Sequence, residues 1–445
     1  MKPQMHLAFD LSWTHLEGRW RLPGSWGGCV FPDMSIYKEI ASIAERGLID
    51  MLFFGDNPGI PGTWRGSFEE AVRWGIGSPC HDVSPLLAVL SQITTHVGFG
   101  LTYSSTYMEP FYVARLLNSL DHVTNGRIAF NVVASSSQSV AANFGFDELM
   151  EHSSRYDRME EFIAVCKSLW DSVAPDAFVW DRETGVVADP AKIREINHVG
   201  QFFKVKGPLA CVPSPQQHPV LLQAGGSPRG IKASAQIADY VFGAGKPTKL
   251  KVQHRKELDT ELTALGRDPA KVGILWEVIV VVDETEAEAR RRSAQVLNAI
   301  PFEGVGAFIS EMNGYDFSKL PARFRLRELN DEIAATNASP VALLHRMALA
   351  DDADSELTRE EFFERALKIA TGYDKMVVGT AAQVADHLEE EFELTGSRGG
   401  FMIEHPMTTP RDFLNVVDYL VPELQRRGRY RTRYPGKTLR ENLAV

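Results

Sequence analysis

Eight times along this 445-residue chain, a short apolar run without strict alternation is followed by a segment of helical period. Apolar side chains at successive strand positions mean burial on both faces, as in a parallel sheet covered by helices. The predicted strands are 4–11, 49–56, 97–102, 127–135, 219–226, 239–244, 273–283 and 399–405. Helix-period segments follow at 33–47, 84–94, 109–126, 152–172, 228–238, 248–266, 284–297 and 411–427, with a further one at 381–395. Eight β/α units favour a closed (β/α)8 TIM barrel over an open doubly wound sheet. The open sheet would want a glycine fingerprint after its first strand, where LAFDLSWTHLEG stands instead, and no GxGxxG occurs anywhere. Such a barrel needs about 250 residues. The surplus is expected as insertions at 57–83, 173–218 and 298–375 of a single domain spanning 1–445.

Composition excludes several function classes. Net charge is −11, without a basic stripe, which argues against nucleic acid as a partner. No run approaches the roughly 18 apolar residues of a membrane span. Asp10, Trp13 and His15 interrupt the N-terminal apolar run before a signal-peptide core would finish, so an unexported, cytoplasmic protein is expected. Four cysteines without paired spacing suit free thiols. Twelve histidines form no HExxH, HxH or Cys/His cluster, so no metal site is expected.

In barrels of this kind the chemistry sits at the C-terminal ends of the strands. Those ends read Asp10, Ser12, Trp13 and His15; Asp56; Thr102, Tyr103 and Ser104; Asn131 and Ser135–Ser137; then Gln223 to Ser227. Hydroxyls and amides dominate, with few acid/base pairs, which suits cradling a large polar cofactor. Asn131 interrupts the buried-looking run RIAFNVVAS, and a buried amide must be hydrogen-bonded, by the fold or by a ligand. In LLQAGGSPRG, a strand stops at Gly225 and Gly226, Ser227 offers a hydroxyl and Pro228 fits a first helical position. The resulting helix N-terminus suits a phosphate, although the same residues make an ordinary βα turn. His152 and Tyr156 are four apart on one helix face. Asp56 stands where it either meets a cofactor or caps the next loop.

These segments resemble the luciferase-like flavin-dependent monooxygenases, in the branch that acts on nitrilotriacetate, EDTA and dibenzothiophene sulfone. AERGLIDMLFFGD, STYMEPFYVARLLNSLDHVTNGRIAFNVVAS, AANFG, HSSRYDRMEEF, QAGGSPRG and GFMIEHP carry the resemblance over nearly the whole chain. It implies that Asn131, Asp56 and Thr102 line a flavin, and that His152, Tyr156, Gly226 and Ser227 hold its phosphate. It also implies reduced FMN supplied by a separate NAD(P)H:flavin reductase, a C4a-(hydro)peroxyflavin formed with oxygen, and transfer of one oxygen atom to a small substrate. His15 is a candidate catalytic proton donor or substrate contact. A homodimer or homotetramer is expected. The chain departs from many relatives at FFGDNPG and at Ser135–Ser137.

Five of the eight tryptophans, Trp13, Trp20, Trp26, Trp64 and Trp74, fall in the loops after the first two strands, among Arg19, Arg21, Arg65 and Arg73. Such walls suit a planar, anionic substrate, or they pack a lid. An aromatic or heteroaromatic substrate is expected, with a riboflavin-like ring or an aminopolycarboxylate as alternatives. A deazaflavin-dependent dehydrogenase and a non-catalytic flavin-binding protein are the other function classes.

Overall fold

The computed structural model describes residues 2–12, 19–22, 24–25, 33–135, 137–245, 247–335, 354–405 and 409–444. All eight expected strands are present: β1 (His6–Asp10), β2 (Met51–Phe54), β3 (Gly98–Ser104), β4 (Ile128–Val133), β5 (Val220–Ala224), β6 (Tyr240–Gly243), β7 (Gly273–Val282) and β8 (Gly399–Glu404). They pair in parallel in chain order, and β7 bonds β8, which bonds β1, so the sheet closes on itself. The observed strands are mostly shorter than the apolar runs. The end residues leave the ladder while staying buried: Ile49, outside β2, is fully buried.

Alternation sorts the side chains into two cores. Ala8, Met51, Phe53, Ala129, Leu222 and Met402 fill the barrel interior. Leu7, Phe9, Phe99, Phe130, Trp276 and Phe401 face the surrounding helices. Those helices are α1 (Ser35–Arg46), α2 (Ser84–Leu90), α3 (Pro110–Val123), α4 (His152–Trp170), α5 (Pro228–Ile237), α6 (Thr248–Ala264), α7 (Ala381–Leu394) and α8 (Pro410–Asn415). The last continues through a π-type turn at Val416–Leu420 into Val421–Arg426. Pro422 has no N–H to give to the preceding turn, which explains the widening there. At Gly100 of β3, a Cβ would sit 2.8 Å from the Met51 sulfur, so the interior layer fits only because that position has no side chain.

The segment after the last helix crosses the N-terminal end of the barrel and plugs it. Met5 N–H donates to Arg429 O at 2.8 Å, Leu439 N–H to Gly126 O at 2.9 Å, and Tyr240 Oη to Leu443 O at 2.6 Å. Under the plug, Arg431 pairs with fully buried Asp50, which also accepts from Leu7 N–H at 2.9 Å and contacts His6 Nδ1 at 3.1 Å. Burial works against the Asp50 charge, but Arg431 and then His6 outweigh it and hold the carboxyl below its ordinary range.

Two insertions rise from the opposite end. The stretch after β2 carries a short helix, Glu69–Trp74; the stretch after β7 carries helices Phe302–Asn313, Leu326–Ala335 and Arg359–Ala370. They share a second apolar core around Trp64, Ile300, Phe317, Phe362 and Phe363. The 173–218 insertion runs instead towards the barrel's lower end, where Gln216 Nε2 donates to Asp121 Oδ1 at 2.7 Å and Ile128 O at 2.9 Å.

Arg431→Met leaves Asp50 buried without its guanidinium partner, so it should destabilise by about 3–5 kcal/mol. Adding Asp50→Asn should recover much of that loss. Urea unfolding of both variants measures it, and equal losses would show that the pair does not hold the plug.

Candidate active site at the barrel mouth

The open end of the barrel is where inward-facing positions change from apolar to polar. Thr102 lies opposite Asn131 in the β3–β4 ladder, and Asn131 Nδ2 donates to Thr102 Oγ1 at 2.9 Å. Both residues are buried, at 4% exposure, and the Asn131 Oδ1 has no hydrogen-bond partner. The fold therefore satisfies half of this amide. On β5, Leu222 is buried while Ala224, the next inward position, is exposed, so the interior opens at that level.

A second group forms where α4 meets the turn from β5 to α5. The rings of His152 and Tyr156 are 5.1 Å apart. The Tyr156 hydroxyl lies against Gly230, 3.0 Å from where a Cβ would stand. Ser227 is the N-cap of α5, its Oγ accepting from Gly230 N–H at 3.1 Å, which leaves the hydroxyl proton for a ligand. Gly226 is exposed beside it. Arg229, which covers the Tyr156 ring, is committed elsewhere: it pairs with Asp157 at 2.7 Å and Glu160 at 2.5 Å.

Asp56 joins a third group. Cys80 Sγ lies 3.9 Å from Asp56 Oδ1, and Tyr103 Oη donates to Asp82 at 3.0 Å. Burial, reinforced by the Asp82 carboxylate, pushes the Asp56 carboxyl up to about 6. Burial and then Asp56 push the Cys80 thiol up to about 11. The structure thus sets Asp56 in an acidic cluster with the 57–83 insertion. His15, with Trp13, Trp26 and Ser136, lies outside the described residues.

The aromatic wall expected from the first loops takes a different form among the described residues. Trp64 is buried, at 2% exposure, and its ring packs on Gly306 and Phe363, so it holds the insertions together rather than facing a ligand. Trp74 Nε1 donates to Glu70 at 2.8 Å, and its backbone carbonyl receives Trp20 Nε1 at 3.3 Å. Arg21, Arg65 and Arg73 are exposed.

Sequence reading missed Glu311. Its Oε1 accepts from Ser137 Oγ at 2.7 Å and Ser139 Oγ at 2.9 Å; its Oε2 accepts from Thr63 Oγ1 at 3.0 Å and Gly62 N–H at 3.4 Å. One carboxylate so ties together the β4 loop and both mouth insertions, and two of the serines after β4 serve this clasp. Nothing in the sequence near 311 signals it, because its partners lie about 170 and 250 residues away.

A carboxyl whose pKa rises on folding costs stability wherever it is ionised. For Asp56 the penalty grows as pH climbs from the ordinary value of 3.8 and is complete above about 6. Asp56→Asn should therefore stabilise the ligand-free protein at pH 7.5, by up to about 3 kcal/mol. The advantage should shrink as pH falls through 6 towards 5. Urea midpoints across this range measure it, and a pH-independent difference would remove the perturbed carboxyl.

Comparison with known proteins agrees with this geometry over almost the full length. The profile of the family described as luciferase-like monooxygenase matches residues 25–399. The chain is 35% identical over 447 residues to the dibenzothiophene-sulfone monooxygenase of Rhodococcus erythropolis (strain XP), covering 99% of this chain and 97% of that one. Nitrilotriacetate monooxygenase component A of Aminobacter aminovorans is 35% identical over 451 residues, covering 99% and 96%. A riboflavin lyase, solved with a modified FMN and its substrate riboflavin, superposes with a TM-score of 0.88 over 99% of this chain and 95% of that one, at 28% identity. The closed barrel, the polar ring at its mouth and these matches lead to one conclusion: this chain belongs to the luciferase-like monooxygenase family of flavin-dependent oxidoreductases.

Proposed function

We propose that this chain is the oxygenase component of a two-component system, taking reduced FMN from a separate NAD(P)H:flavin reductase and oxygenating a small aromatic or heteroaromatic substrate. The observation that carries the reading is the Asn131 amide. Its Nδ2 is fixed by Thr102, and its buried Oδ1 is unpaired at the mouth, ready to accept from a ring N–H. A flavin ring presents such a donor, so the residues present fit the group. His152, Tyr156, Gly226 and Ser227 would hold the phosphate at the α5 N-terminus, where hydroxyls and free backbone N–H groups favour an anion. The relative named for dibenzothiophene sulfone supports a planar aromatic substrate, and the one named as a component A supports a partner component.

When bound, reduced flavin supplies the two electrons with which one oxygen atom enters the substrate and the other leaves as water. The chain's own contribution is orientation and exclusion of water. Thr102 and Asn131 fix the ring's edge. The Glu311 clasp holds both mouth insertions over the open end of the barrel, limiting solvent access to the reacting centre. Asp56 follows β2 at the same end of the barrel, and burial, with the Asp82 carboxylate, pushes its carboxyl up to about 6, which suits a group that exchanges a proton near neutral pH.

Two binding measurements test the cofactor assignment. Ser227→Ala and Tyr156→Phe should each weaken FMN about tenfold or more, the worth of one charge-assisted hydrogen bond, while leaving riboflavin nearly unchanged. Equal losses for both flavins would place the phosphate elsewhere. Asn131→Leu should weaken both flavins by about tenfold to a hundredfold without lowering the melting temperature of the ligand-free protein. A large melting decrease with unchanged flavin affinity would assign the amide to the scaffold.

A further inference from the structure

Seven lysine and arginine side chains are buried among the described residues, and six of them are compensated. Lys251, Arg255, Arg292, Arg429 and Arg431 each lie against a carboxylate. Arg127 has none, but its guanidinium donates five hydrogen bonds to carbonyl and hydroxyl oxygens. Arg155 is the exception. At 8% exposure it donates through Nη1 to Ser135 O, while its Nε is buried without a partner. A desolvated charge with one neutral acceptor is costly to fold around.

A second buried polar atom without a partner is found at the same end of the barrel. The Tyr107 hydroxyl is buried and unpartnered, on a ring held flat against Phe144 at 5.2 Å and flanked by Phe146 at 5.4 Å. The two groups sense each other: burial raises the phenol's pKa, and the Arg155 charge opposes the rise. Tyr107 follows β3, Ser135 follows β4, and Arg155 lies in the first turns of α4, one residue before Tyr156. All three belong to the open end of the barrel.

The geometry points to an oxyanion subsite at the barrel mouth, in which Arg155 Nε–H and Tyr107 O–H donate to a phosphate, carboxylate or sulfinate oxygen. A guanidinium is suited to this because it stays charged and offers several N–H groups in one plane. The anion has two possible sources, the phosphate of the flavin or an acidic group on the second molecule, and their identity alone rests on the proposed function. The subsite also moves anion recognition away from Arg21, Arg65 and Arg73, which are exposed.

Calorimetric titration of the full chain with FMN, riboflavin, inorganic phosphate and benzoate tests the subsite, on wild type, Arg155→Gln, Arg155→Lys and Tyr107→Phe. The wild type should bind at least one of the three anions through this site. Arg155→Gln should lose tenfold or more in affinity for it, Arg155→Lys and Tyr107→Phe less, and riboflavin should bind all four proteins alike. A loss confined to FMN identifies the flavin phosphate; a loss confined to benzoate or phosphate identifies an acidic group on the second molecule. Wild-type affinity of Arg155→Gln for all three anions, or a wild type that binds none, overturns the proposal. Melting of the ligand-free proteins separates a scaffold role. Removing an uncompensated charge should leave Arg155→Gln melting no lower than wild type, whereas a drop of several degrees with unchanged anion binding assigns Arg155 to the scaffold. Should Arg155→Gln fail to fold, Arg155→Lys and Tyr107→Phe carry the same comparison. A wild type that binds phosphate or benzoate through Arg155 but neither flavin sinks the cofactor assignment and leaves the subsite standing.

Discussion

Closure of the sheet is the constraint from which the rest follows. Because β7 bonds both β6 and β8, and β8 bonds β1, none of the eight barrel strands presents an open edge. Backbone hydrogen bonds are used up within the wall, and an interior packed with Met51, Phe53, Leu222 and Met402 cannot pass a ligand. The C-terminal segment stops the lower end, with Arg431 and Asp50 paired beneath it. Only the upper end is left for chemistry, and there the inward positions become Thr102, Asn131 and the exposed Ala224.

Buried polar groups are treated differently at the two ends. Below, Asp50 is surrounded by donors and is held in its charged form. Above, half-buried Asp56 lies near another carboxylate, and the Asn131 carbonyl, the Tyr107 hydroxyl and the Arg155 Nε lack partners. A fold that compensates its other buried cations, by carboxylates or, for Arg127, by neutral oxygens, gains nothing from leaving these open unless something else completes them. At the mouth these groups gather around the inward-facing polar positions, and a cluster of that kind marks the end that receives ligand.

Much of the fold was legible because strand and helix signals are local. Residues 127–135 read as a strand, and Ile128–Val133 is one; 228–238 read as a helix, and Pro228–Ile237 is one. The trimmed ends reflect residues that stay buried after leaving the ladder, which apolarity alone cannot distinguish from strand. Candidate residues from neighbouring units were also legible: Thr102 and Asn131 meet because adjacent parallel strands in register bring their ends together. Arg155 left a readable trace, since it starts the stripe Arg155, Met159, Phe162, Cys166 and Leu169 that α4 buries. A charged residue on a core-facing stripe is a signal in itself.

Trp64 marks the boundary of what a sequence can say. Tryptophans near a cofactor loop read equally well as ligand wall or lid packing, and the choice depended on helix Phe302–Asn313, which approaches its ring at Gly306. The same holds for Glu311, whose four donors come from two distant segments, and for Asp56, whose neighbours Cys80 and Asp82 arrive on a folded-back insertion. The sequence by itself determined the eight β/α units, the polar strand ends and the glycine-rich turn at Gly225–Ser227, because backbone preference and side-chain period act over a few residues. Only the tertiary structure decided which buried groups are satisfied and which are left open, because hydrogen bonding and desolvation depend on what the rest of the chain places within a few ångströms.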